Sequence, residues 1–434
     1  MRVLQFSASR VHGRYEFDMD FNEELTFLVG INGSGKTTAL RLMQAMLAFD
    51  LTTLLSIKFS SLQVVVLANE SRYFDYRIES DKRTLNFYIN GEGLKHSISR
   101  LDDEKLAMYS KVERIEGYVE DQRVDLIQRM TNSFPAFMRL GRPLFLGLER
   151  RAARVDIEPF YFDEDVSASD YSASRKWSSK GLVEGMDSSQ FLIERAFRKY
   201  RKASDGIGGR LTNTVVGSMF DYIEFTPDEL EGGERNVADF RALYDRRREI
   251  EALASRLGGS LGTEKQINEF FSRMQAVLAQ SKGNLSIEWL MNRSQIKRIH
   301  KLLEEMERQK LQAERFYAPI ENFLESINGF FSDSRKIALV DSIGKLKVTQ
   351  EGVDLPLSSL SSGEKQLLIM LAHAWFGRGS KGVLIVDEPE LSLHLRWQER
   401  LIDEISKGAR CQMIFATHSP EIIGFKKSNC IQVG

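Results

Sequence analysis

The chain has 434 residues, more than one ordinary hydrophobic core needs, so one large domain with insertions or two domains are expected. Its 60 basic residues balance 61 acidic ones, so net charge gives no sign of a nucleic-acid or membrane-surface protein, and any DNA contact would need a local basic patch. Cys411 and Cys430 are too few for a disulfide framework, no apolar run approaches the ~20 residues that span a bilayer, and the first residues do not read as a secretory signal. A cytoplasmic protein with no membrane partner is expected.

Residues 25–30, LTFLVG, read as a short buried strand running into GINGSGKTT. Gly30, Gly35, Lys36 and Thr37 match G-x-x-x-x-G-K-[ST], and Leu40, Met43 and Leu47 then fall on one face of a helix. Strand, glycine loop and helix together form the context in which this pattern binds phosphate. Glycines let backbone N–H groups curl around the anion, Lys36 neutralises β and γ charge, and Thr37 offers a hydroxyl to Mg²⁺. Asn32, Gly33, Ser34 and Thr38 complete the candidate loop.

Leu62–Ala68 reads as a buried strand, and Thr84–Asn90 as one with period-2 patterning through Leu85, Phe87 and Ile89. Both are expected to extend an antiparallel sheet over the N-terminal lobe. PLFLGLERR, from Pro143, reads as a strand ending near Gly147, followed by Glu149 and Arg150. Residues 163–189, rich in Ser, Asp and Gly, read as a long loop. Two basic clusters, Arg195, Arg198, Lys199, Arg201, Lys202 and Arg246, Arg247, Arg248, read as a solvated helix face, with a phosphate-backbone contact to DNA as the alternative. From Val237 to about Tyr317 there is no proline. Ile267, Phe270, Phe271, Met274, Val277 and Leu278 keep helical spacing, as do Ile296, Ile299, Leu303 and Met306, with SKGN at 281–284 between them. The pattern predicts a short coiled-coil-like insertion whose helices of ~22 residues span ~33 Å.

LSSGEKQLLIMLAHA begins at Leu360. Ser361 or Ser362 can cap a helix, and Glu364 stands at the capping-box spacing from Ser361. Gly363 leaves the first turn open to close approach, and Ser362 adds a hydroxyl at an end suited to an anion. Then Val383–Val386 reads as a strand buried on both faces, ending in Asp387 and Glu388, the carboxyl end at which open α/β sheets bind ligands. Asp387 is placed to support Mg²⁺ and Glu388 to orient water. A further apolar strand, Gln412–Ala416, ends in Thr417, His418 and Ser419, which places His418 within reach of a γ-phosphate.

The order GINGSGKTT, LSSGEKQ, LIVDEPE, ATHSP resembles the ABC-type ATPases. That resemblance implies an α/β fold: a P-loop ATPase head with a mixed sheet, an antiparallel N-terminal β lobe and a helical insertion. It makes Leu360–Glu364 the signature that meets the γ-phosphate held by a second copy, so ATP sits at shared sites of a homodimer or higher homo-oligomer. Most of the chain separates Lys36 from Ser361, and Glu rather than Gln ends the signature, as in the RecF and structural-maintenance-of-chromosomes branch. DEPELSLHLRWQ, with Glu390, His394, Trp397 and Gln398, and GVDLPLSSLSSGEKQLL look like the overcoming-lysogenization-defect ATPases and their anti-phage relatives, although Leu395 stands where that group has proline. Those enzymes continue into a nuclease domain. Only a short tail follows His418 here, so the effector, a nuclease, is expected to be a separate protein, an organisation similar to the PtuA ATPases of Septu systems and the AriA ATPases of PARIS systems. The expected division is 1–155 and 331–434 as the two ATPase lobes and 156–330 as the insertion. A RecF-like repair ATPase and a nucleotide-stabilised scaffold with negligible turnover are the rival readings.

Overall fold

The computed structural model describes residues 1–69, 72–81, 84–93, 98–99, 133–138, 140, 143–147, 181–219, 241–256, 261–280, 287–377 and 382–434. The expected positions Glu149 and Arg150, and residues 163–180, lie outside that set. The described residues form two units, Met1–Glu194 with Glu321–Gly434, and Arg195–Ile320.

The first unit is built on two larger sheets. Strands β1 (Arg2–Val11), β2 (Tyr15–Asp20), β4 (Ser61–Asn69), β5 (Arg72–Ser80), β6 (Thr84–Ile89), β7 (Glu92–Gly93) and β8 (Ile98–Ser99) form an antiparallel sheet in the order β2-β1-β4-β5-β6-β7, with β8 on β6. The apolar run of β4 is buried mainly at alternate positions, Leu62, Val64 and Val66, because only one face of this sheet meets the core. Strands β3 (Leu25–Val29), β9 (Leu144–Leu146), β13 (Val383–Asp387), β14 (Gln412–Ala416) and β15 (Cys430–Gln432) form a parallel sheet ordered β15-β3-β14-β13-β9. Every residue of β13 and β14 is buried, as continuous apolar runs require.

Helix α1 (Lys36–Ala48) follows β3 and buries Ala39, Leu40, Leu42, Met43, Ala45, Met46 and Leu47. The apolar face is broad, and only a narrow polar strip with Arg41 is left exposed. One cluster unites it with Phe6, Val64 and Tyr76 of the antiparallel sheet and with Ile385 and Ile414 of the parallel one. A smaller antiparallel sheet, β10 (Lys336–Val340), β11 (Leu346–Gln350) and β12 (Val353–Leu355), precedes the helix that carries the candidate signature. Short helices α2 (Leu51–Ser56) and α3 (Ser133–Met138) complete the N-terminal part.

Two expectations need correction. Residues 181–189 are not loop: they open helix α4 (Gly181–Met219). Met186, Ser189, Ile193 and Phe197 recur at three- to four-residue spacing and are buried, and the Ser189 hydroxyl donates to the Gly185 carbonyl at 2.8 Å. A serine-rich composition hid an amphipathic stripe. The second correction concerns length. After α5 (Arg247–Arg256) and α6 (Leu261–Gln280), helix α7 (Ile287–Phe331) runs for 45 residues, about 67 Å at ~1.5 Å per residue. It passes through Pro319, which removes one backbone donor. Ile320, Phe323, Ile327 and Phe330 are fully buried beyond it, and that apolar face sustains the helix.

The second unit has its own core: Leu243, Ile250, Phe271, Met274, Ile296 and Leu303, with Ile267, Phe270, Ile299 and Met306 half-buried against them. Arg246 pairs with Glu249 and Glu307, and Arg247 with Glu251, so this basic cluster is partly neutralised by its own helices.

Candidate functional site

The glycine loop follows β3 directly. A Cβ at Gly30 would fall 2.4 Å from the Val433 carbonyl and 2.8 Å from Ser34 Oγ, so only glycine fits. Gly33 and Gly35 turn the chain with φ of 85° and 95°, the left-handed region. Gly35 is the N-cap of α1, and among the described residues no side chain makes a capping hydrogen bond there. Lys36 is buried, and its Nζ donates to the carbonyls of Gly30 (2.8 Å) and Ile31 (3.2 Å) across the loop. Thr37 and Thr38 are half-buried on the first turn, while Asn32 and Gly33 are exposed. Two supporting residues escaped the sequence reading. The Tyr15 hydroxyl donates to the Gly33 carbonyl at 2.7 Å, and Phe17 packs where a Gly35 side chain would go. Only the pairing of β2 beyond the loop reveals them.

The other strand ends lie beside it. Asp387 pairs in register with Ala416, and Ala416 with Leu28, so the carboxyl ends of β13, β14 and β3 are neighbours. Thr417 N–H donates to the Leu28 carbonyl (3.1 Å) and Glu388 N–H to the Ala416 carbonyl (2.8 Å). Asp387 is 1 % exposed. Glu388 has φ of 47°, a left-handed backbone that a side-chain-bearing residue adopts at some cost. Strain of this kind turns the chain sharply at the strand end, where the two carboxylates follow each other. His418 sits on the next loop, its backbone N–H 2.8 Å and its ring Nδ1 3.1 Å from Glu390 Oε1. The structure therefore gathers Gly30–Thr38, Asp387, Glu388 and His418 at one edge of the parallel sheet.

Helix α8 (Ser362–Phe376) carries the candidate signature. Ser361 is its N-cap: Glu364 N–H donates to Ser361 Oγ (3.2 Å) and Ser361 N–H to Glu364 Oε2 (2.8 Å), a complete capping box. Ser361 and Ser362 are exposed. Gly363 is not, and a Cβ there would fall 2.4 Å from the Ser392 carbonyl. Gln366 Nε2 donates to the Pro389 carbonyl (3.4 Å), so the start of α8 is tied to the loop that follows Glu388. Glu364 is turned inward. Its carboxylate meets Lys336 Nζ at 2.8 and 2.9 Å. Burial alone would raise the Glu364 carboxyl, but Lys336 and the Ser361 N–H hold it below the usual carboxylate value. Two turns on, burial pushes His373 down to about 4, with Ser188 Oγ 3.3 Å from its Nε2. Leu395, in place of the expected proline, is the first residue of α9 (Leu395–Gly408), where His394 serves as N-cap.

Among the described residues no group of three or more His, Cys, Asp or Glu forms a metal cluster, and no helix is long and apolar enough to cross a membrane. Thr37 and Asp387 supply oxygen donors of the kind Mg²⁺ accepts when phosphates and waters complete its shell. A sequence-family profile described as "AAA domain, putative AbiEii toxin, Type IV TA system" matches residues 25–424. Two solved structures are similar over nearly the whole chain. One is the Smc head domain with an extended coiled coil bound to the C-terminal domain of ScpA derived from Pyrococcus furiosus, at 12% identity, covering 99% of this chain and 92% of that one, with a TM-score of 0.40. The other is the SmcHead bound to the C-winged helix domain of ScpA, at 11% identity, covering 100% and 94%, with a TM-score of 0.41.

Proposed function

Since the chain belongs to the AAA-domain family described as putative AbiEii toxin, Type IV TA system, we propose that it binds ATP with Mg²⁺ and hydrolyses it at the edge formed by β3, β14 and β13. The observation that carries this reading is the convergence of the glycine loop, Asp387–Glu388 and His418 on three adjacent strand ends. The residues fit the nucleotide. Gly30, Gly33 and Gly35 leave backbone N–H groups accessible at the start of α1, and Lys36, now bonded to its own loop carbonyls, is the cation beside them. A divalent ion held by Thr37 and Asp387 would neutralise phosphate charge. Glu388 would orient the attacking water and His418 would meet the γ-phosphate, in a reaction where positioning and charge do most of the work.

In this reading Ser361, Ser362 and Gly363 complete the site of a second copy, and Glu364 holds that helix start in shape. Exposed Ile31, Leu391 and Phe425, in the segments after β3, β13 and β14, support a facing protomer. The biological role we favour is phage defence, with the ATPase restraining or gating a separate nuclease; a family described as a putative toxin of a Type IV TA system supports membership of such a pair. Reading the adjacent gene tests that part, because a replication or repair operon there would point to the RecF-like alternative. For the chemistry, Lys36→Ala is expected to abolish nucleotide binding, and Glu388→Gln to keep binding while stopping phosphate release. Turnover by Glu388→Gln equal to wild type would remove Glu388 as the base.

A further inference from the structure

Glu390 differs from the other acids of the loop after β13 in where its carboxylate goes. The residue is 7 % exposed, although it lies beside a His418 side chain that is about half exposed at 48%. Its Oε1 accepts the backbone N–H of His418 (2.8 Å) and lies 3.1 Å from ring Nδ1. Gln398 anchors the same region: its Nε2 donates to the carbonyls of Leu393 (2.9 Å) and Glu390 (3.5 Å), and its Oε1 accepts from the Ser419 hydroxyl (2.7 Å). The loops after β13 and β14 are thus joined twice, once through each neighbour of this pair. Glu390 Oε2 is buried and has no hydrogen-bond partner among the described residues. A half-satisfied buried carboxylate is costly, so packing alone does not account for an acid at this position.

We infer that Glu390 is a positioning residue for His418, fixing both the loop that carries the ring and the nitrogen that the ring presents. A carboxylate oxygen 3.1 Å from Nδ1 favours a proton on that nitrogen over a lone pair, so the neutral ring is assigned as the Nδ1–H tautomer. A ligand must then be met through Nε2. That atom accepts from water or a hydroxyl while the ring is neutral, and donates to a phosphate oxygen when the ring is cationic, with the Glu390 carboxylate opposing the charge. Carboxylates orient imidazoles in the same way at other sites. The tautomer is assigned from the Glu390 contact, independently of any activity; its effect on turnover rests on the ATPase reading.

The test labels histidine with ¹⁵N in the full-length protein and identifies the His418 ring by its loss in His418→Gln. The wild-type spectrum is expected to show the Nδ1–H pattern. Glu390→Ala should move the ring toward the Nε2–H form that an unconstrained histidine prefers. Glu390→Gln, whose amide oxygen can still face the two donors, should keep the wild-type pattern. In ATPase assays Glu390→Ala should lower kcat on the order of tenfold or more while leaving the KM for ATP nearly unchanged, with partial rescue in Glu390→Gln. The Glu390→Ala, His418→Ala double variant should be no slower than His418→Ala, because one acts through the other. An Nε2–H ring in the wild type, an unchanged ring in Glu390→Ala, or additive losses in the double variant would overturn the inference. If the wild type proves to have no turnover, the ATPase reading falls and the wild-type spectrum still decides the tautomer.

Discussion

The Lys336–Glu364 pair makes an asymmetric prediction about the signature helix. The Glu364 side chain is 5% exposed and the Lys336 side chain 15%. Lys336→Met would leave a carboxylate buried against the start of α8 with its cation gone. Breaking a buried pair from that side costs about 3–5 kcal/mol, because the remaining charge is uncompensated. Glu364→Gln should cost only about 1–2 kcal/mol: glutamine still serves the capping box, and the Lys336 ammonium can turn toward water. Acidity separates the two further. The folded Glu364 carboxyl lies below its ordinary value, so its contribution is fully present above about pH 4.5, the ordinary glutamate value, and is lost as pH falls through the lower folded one. In Lys336→Met burial acts unopposed by Lys336, and the carboxyl moves upward. The gap between wild type and Lys336→Met should therefore be widest near neutral pH and narrow as pH falls through the variant's raised value toward the lowered wild-type one. Urea denaturation followed by tryptophan fluorescence at pH 7.5 and pH 4.5 measures it, with Trp375 and Trp397 reporting from the first unit. A Lys336→Met loss under about 1 kcal/mol, or a larger loss from Glu364→Gln, would refute the buried-pair account.

Two further outcomes concern the same helix. Gly363→Ala places a Cβ 2.4 Å from the Ser392 carbonyl, so backbone must move; a stability loss of about 1–3 kcal/mol is expected, with nucleotide binding kept and turnover reduced, and normal turnover would argue against a tight junction there. Mixing Lys36→Ala protein with Ser361→Arg protein, once chain exchange is verified, should restore up to one composite site per mixed dimer. Flat activity across all mixing ratios would count against a site shared between copies.

What was legible in the sequence was what is local. The glycine loop declares itself because its turn residues, its lysine and the flanking apolar runs are contiguous, and Asp387, Glu388 and His418 are marked by the ends of buried strands. Strand β4 shows as an apolar run and β6 as a period-2 stretch. What escaped depends on strand order or on long-range contact. Tyr15 reaches Gly33 only because β2 returns beside the loop. Residues 181–189 look like linker until the burial of Met186, Ser189 and Ile193 is known. Glu390 reads as one acid among several until β14 is seated between β3 and β13, which brings His418 onto its carboxylate. Glu364 is the instructive case. Its sequence neighbours suggested both a helix cap and a nucleotide contact, and those two roles need the carboxylate in different places. Lys336, on the sheet that precedes the helix, draws it inward, and the capping box then uses the oxygen that faces the Ser361 N–H. The acid at the end of this signature thus answers to a buried cation, and an uncharged residue there would fit a chain in which the β10 position offered none.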